Sequence, residues 1–179
     1  MSIPLNDMSP FARDTALSLG LEAHPEGGWY TRDWQSPHTD SASGRPLASL
    51  IYFLLPEGDA SAWHKVDADE IWLWHGPAAV TLEFGGTGDQ PEADPALRTR
   101  VVLGSGLSGA RLAGDENPND HKINSRATSA ASSAALHHAP AGHVIARAGC
   151  WQRTLPGAGD ALVSCVVSPG FVFEGFTLE

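Results

Sequence analysis

Cysteine is nearly absent: 179 residues carry only Cys150 and Cys165. Their spacing offers neither the paired knuckles of a structural zinc site nor a disulfide framework, so two buried thiols are expected. Basic residues are scarce as well, with 11 Lys and Arg against 21 Asp and Glu and a formal charge of −10. Such a chain has no cationic excess to neutralise phosphate backbones or anionic lipid, which argues against nucleic acid and membrane surfaces as partners. No apolar run reaches the roughly 20 residues needed to cross a bilayer. The opening MSIPLNDMSPFARD also lacks the basic leader and apolar run of an export signal. A cytoplasmic location is the expectation that follows. No glycine loop ending in lysine and serine or threonine is present to cradle a phosphate. Ser164 and Ser168 have no nucleophile-elbow sequence around them, which disfavours a serine hydrolase.

What is present is the composition of a folded protein, 42% hydrophobic and 8% aromatic, at a length that suits one domain over residues 1–179. Ser9-Pro10 before FARDTALSL, with Gly20 after it, predicts a short helix with serine as N-cap and glycine as the stop. Ala12, Ala16 and Leu19 recur on one side, with Phe11 beside them, so this helix is expected to cover a face or edge of the main fold. From Leu47 the chain breaks into short strand-like runs: 47–55, 69–75, 79–84, 99–103, 143–148, 150–155 and 161–167. Glycine, proline and aspartate separate them, and no helices recur in between, which points to an all-β sandwich or barrel and away from a doubly wound α/β fold. The stretch 115–138 is polar and then rich in alanine and serine without a core face. It reads as a surface insertion, with His137 and His138 facing solvent.

The candidate site centres on WHKVDADEIWLWHG at 63–76. On a strand over 69–75, Glu70, Trp72 and Trp74 share one face, and a carboxylate among tryptophans demands a cation, a metal or hydrogen-bond donors if that face is buried. A reversal at KVDAD brings His64 near Glu70. A second segment, HPEGGWYTRDW at 24–34, places Glu26, Tyr30 and Arg32 on one extended face after a Gly27-Gly28 turn. The Arg32 fork suits a carboxylate or phosphate, and Tyr30 offers a proton or a hydrogen bond. The aromatic ending around Phe171, Phe173 and Phe176 reads as sheet packing.

These segments, together with VVLG at 101–104, AGCWQRTLP at 148–156 and LVSCVVSPGFVFEGFTL at 162–178, resemble the blocks of the cupin superfamily family known as DUF985 or Cupin_5. The resemblance covers most of the chain apart from 115–138. It implies a double-stranded β-helix, the cupin jelly roll, paired into a homodimer with a polar pocket in the barrel mouth. Metal-binding cupins carry a His-x-His pair and a glutamate in the first motif. His64 and Glu70 match two of those places, Val66 stands where the second histidine belongs, and Gln152 occupies the histidine place of the second motif. A divalent metal (Zn, Ni or Fe) in such an incomplete site would rest on His64, Glu70 and Gln152. Related cupin folds include metal-free sugar epimerases with a histidine base and a tyrosine acid. By that resemblance the chain is a cupin that binds a small polar metabolite, an isomerase or epimerase of a sugar-like substrate, with His64 as base and Tyr30 as acid. Glu26, Arg32, Trp72, Trp74 and Gln152 then contact the ligand. The alternatives are a non-catalytic metabolite-binding or regulatory cupin and a structural dimer with a vestigial pocket.

Overall fold

The computed structural model describes residues 2–105 and 141–179, so the proposed insertion at 115–138 lies outside the described residues. A helix α1 spans Pro10–Leu19 with the expected stops: the Ser9 hydroxyl accepts the Ala12 amide, and Gly20 closes the helix in the left-handed region at φ 63°. Ala12 and Ala16 are buried against Leu21 and Leu54, with Trp29, Tyr52 and Leu162 packed beside them. Small residues on that side let the helix lie close to the sheet. Phe11 is 45% exposed, so it stands off that contact and does not extend it.

Eleven strands follow among the described residues: β1 (Glu22–Ala23), β2 (Trp29–Gln35), β3 (Ser49–Leu55), β4 (His64–Val66), β5 (Asp69–Pro77), β6 (Val80–Phe84), β7 (Thr99–Leu103), β8 (His143–Ala146), β9 (Gln152–Leu155), β10 (Ala161–Ser168) and β11 (Phe176–Leu178). They form a six-stranded sheet in the order β1-β2-β3-β10-β5-β8 and a five-stranded sheet in the order β11-β4-β9-β6-β7. The strand pairs within both are antiparallel. Two sheets facing one another are the all-β architecture expected from the many short strands, in the jelly-roll form that the family resemblance implies. Strands shorten where the chain must turn: the run foreseen at 143–148 ends at Ala146, because Arg147 leads into a turn in which Gly149 takes φ 74°.

The two ends of the barrel differ. Leu55, Val80, Leu82, Val101, Leu103, Val144, Ala161 and Val163 fill one end as a continuous apolar core. Alternation along each strand carries this face toward the other end, where Ser49, Ile51 and Phe53 of β3, Glu70 and Trp72 of β5, and Cys165 and Val167 of β10 line a cavity. Phe53 and Trp72 meet edge to face at 5.7 Å, and both belong to the core as well as to the cavity wall. No described helix is long and apolar enough to cross a membrane.

Candidate functional site

The cavity holds about 330 Å³ and draws its wall from both sheets. Its buried ionisable groups at the wall include Glu26 and His24 from the turn before β2, His64 from β4 and Glu70 from β5, each 9% exposed or less. The turn that delivers Glu26 depends on glycine. Gly27 has φ 109°, and a Cβ there would stand 2.2 Å from the Ala60 carbonyl oxygen; Gly28 has φ 70° and would drive a Cβ into the Phe53 ring. The Ala62 amide in turn donates to the Glu26 carbonyl at 2.7 Å, tying this turn to the segment that enters β4.

His64 Nδ1 lies 2.9 Å from the Ala62 carbonyl oxygen. A carbonyl can only accept, so Nδ1 carries the proton and Nε2 keeps its lone pair. Glu26 Oε2 lies 3.2 Å from the same Nδ1 and 3.6 Å from Nδ1 of His24. Nδ1 of His24 in turn accepts the Glu26 amide at 3.4 Å. Burial lowers the pKa of both imidazoles from 6.5 to about 4, so each is neutral at pH 7. Burial, and then the charge of Glu70, push the Glu26 carboxyl well above the usual range. Burial also raises Glu70, but hydrogen bonds from Gln152, Cys165 and Trp72 pull it back. Two carboxyls thus share one cavity with unequal support, Glu70 being the more readily ionised.

Gln152 is 1% exposed and is absent from the cavity wall; it stands behind Glu70. Its Nε2 donates to Glu70 Oε2 at 2.5 Å, and its Oε1 accepts the Trp72 indole N–H at 3.1 Å. Each neighbour dictates which end of the amide it meets, so the Gln152 oxygen is already engaged. Val66 contributes methyl groups at the place of the second histidine. Among the described residues no group of three or more His, Cys, Asp or Glu side chains is placed to hold a metal ion. Of the three groups expected to hold a divalent metal, His64 and Glu70 face the cavity, whereas Gln152 spends both ends of its amide on Glu70 and Trp72.

Tyr30, Arg32 and Trp72 line the cavity as their positions suggest. Trp29, on the opposite face of β2, packs toward α1 and donates its indole N–H to the Ile3 carbonyl at 2.9 Å. Tyr30 is held by Glu22, its cross-strand partner; burial and then the Glu22 charge raise its phenol above the ordinary value, which makes it a weaker acid. Arg32 is exposed, donates to Gln35 at 3.1 Å and lies 6.0 Å from the Phe171 ring. Trp74 corrects the sequence reading. It shares the inward face of β5, but two residues further along it has reached the filled end, where it packs on the core and its indole N–H donates to the Ala78 carbonyl at 2.7 Å. Phe171, Phe173 and Phe176 do pack on one another, with ring centroids 5.1 to 6.4 Å apart, yet they also form part of the cavity wall. His24 escaped the sequence reading altogether. Its one signal was the His-Pro-Glu order before two glycines, which sends the chain back on itself within two residues of Glu26.

The chain resembles solved structures over most of its length. A protein from Shewanella oneidensis is 28% identical with a TM-score of 0.65, covering 93% of this chain and 82% of its own. A hypothetical protein from Leishmania major is 25% identical with a TM-score of 0.65, covering 94% of this chain and 86% of its own. No curated protein matches the chain in sequence. The model of the family Cupin_5, the cupin superfamily (DUF985), matches residues 13–179, so the chain belongs to that family.

Proposed function

We propose that the barrel cavity binds a small polar, sugar-like metabolite and that His64 moves a proton on it, as an isomerase or epimerase does. The observation that carries this reading is the neutral His64 with its proton on Nδ1, beside a Glu26 carboxyl held above its ordinary pKa. Nε2 of His64 then serves as the base, and the Glu26 carboxyl, which burial inclines toward its protonated form, stands 3.2 Å from the same ring. Tyr30 is a second proton donor at the wall, weakened as an acid by burial and then by the Glu22 charge. The apolar floor of Phe53 and Trp72 excludes water from the reacting carbon. The same reading includes a homodimer.

Exchange of a carbon-bound proton for solvent deuterium, followed by NMR over a panel of aldoses, ketoses and their phosphates, tests the chemistry. The expected result is deuterium incorporation by the native chain and its loss, about 100-fold or more, in a folded His64→Ala variant. Undiminished exchange in that variant removes His64 from the role. Saturable binding with no exchange on any of the panel favours the non-catalytic metabolite-binding cupin.

A further inference from the structure

We infer that the inner end of the cavity receives an organic cation, the ammonium group of a small amine-bearing metabolite, held between the carboxyl groups of Glu26 and Glu70 and flanked by aromatic rings. The inference rests on the cavity being the ligand site and is independent of whether a proton is moved there.

The charge of the wall is one-sided. Glu22, Glu26 and Glu70 all line it, whereas Arg32 is the one Lys or Arg on the lining and is exposed, 6.0 Å from Phe171. His24 and His64 add no charge, since burial keeps both imidazoles neutral. An anionic group pushed past Arg32 would meet two carboxyls and no cation.

Glu26 is also short of donors. It is 7% exposed, and no hydrogen bond reaches its Oε1 among the described residues. Near Oε2, the Nδ1 proton of His64 is directed at the Ala62 carbonyl, and Nδ1 of His24 is itself accepting the Glu26 amide. A buried carboxyl oxygen that faces a cavity without a partner is costly, and a ligand ammonium brings three donors together with a positive charge that favours ionisation of Glu26 and Glu70 beside it.

The remaining wall fits the carbon frame of such a ligand. Tyr30, Phe53, Trp72, Phe171, Phe173 and Phe176 surround the space. The negative faces of aromatic rings attract an alkylammonium, and their apolar area packs against its methylene groups. A hard divalent ion draws little from such walls, because it seeks oxygen ligands and water. At about 330 Å³ the cavity admits a ligand near the lower end of metabolite-sized pockets.

Matched probes separate the amine from the hydroxyl: glucosamine against glucose, and cyclohexylamine against cyclohexanol, titrated into the full chain with Trp fluorescence and thermal shift as readouts. The amine of each pair is expected to bind about tenfold tighter or better, and Glu70→Gln and Glu26→Gln, both near-isosteric, are expected each to erase that preference. Equal binding of amine and alcohol, or an amine preference that survives in both variants, overturns the cation inference while leaving the sugar-binding reading standing. Stabilisation by zinc alone, with no response to either amine, also overturns it. A chain that binds none of the four organic probes and exchanges no proton overturns both readings.

Discussion

His64 is surrounded by groups that pull its charge in opposite directions, and burial wins. A lowered imidazole pKa means the unfolded chain binds more protons than the folded one between about 4 and 6.5, so His24 and His64 make stability rise with pH across that window. For His64 the full shift corresponds to on the order of 3 kcal/mol. The raised carboxyls act with the reverse sign: above pH 4.5 the folded chain holds more protons on Glu26 and Glu70, and stability falls as pH climbs toward their folded values. Urea unfolding from pH 4 to 8 is therefore expected to show a muted rise to pH 6.5 in the native chain. His64→Asn flattens that rise further, and Glu26→Gln steepens it and leaves the protein more stable than the native chain at pH 8. A Glu26→Gln variant less stable at pH 8 would show that the carboxylate has a partner that offsets its burial.

At the scale of elements, the turn before β2 and the outer face of the five-stranded sheet decide how firmly the cavity is held. Gly27→Ala puts a methyl group 2.2 Å from a backbone oxygen at a φ of 109°, a conflict that no side-chain movement relieves. The expected loss is about 2 kcal/mol or more in denaturant unfolding, with weaker ligand binding as Glu26 shifts. On the outer sheet face, Glu83 of β6 lies between its cross-strand partners Arg100 and Arg153. It accepts from both at 2.8 Å, and Arg98 approaches at 3.5 Å. Arg153 and Arg98 also lie over the Trp63 ring at 4.6 and 5.4 Å, next to His64 in sequence. Glu83 is fully buried, whereas the Arg100 side chain is 57% exposed and its share is screened by water. Glu83→Gln removes the charge that gathers three guanidinium groups, and about 2 to 4 kcal/mol of stability is expected to go with it. A loss below 0.5 kcal/mol would make the ladder a surface ornament.

For the whole molecule, the difference between a filled and a hollow end is what makes a site, and the proposed function adds a pairing of two copies. Light scattering is expected to give about twice the chain mass of 18.9 kDa, and a monomer at micromolar concentration would remove the dimer from the proposal. Much of this was legible in the chain. The helix between Ser9 and Gly20 carries its own caps, the strands announce themselves by alternation and turn residues, and His64, Glu70 and Glu26 stand out as polar groups in apolar or glycine-bounded surroundings. Alternation gives the face a residue lies on but not its height along the barrel. That is why Trp72 reaches the cavity while Trp74, on the same face, belongs to the filled end.

Local sequence thus determined the helix with its caps, most of the strands, the family and the side chains that point inward, because caps, turns and period-two alternation are properties of neighbouring residues. Only the tertiary structure decided which inward groups meet. The approach of Glu26 to His64 at 3.2 Å and the retreat of Gln152 behind Glu70 depend on strands far apart in the chain. The charge each group carries then follows from the burial that this packing imposes.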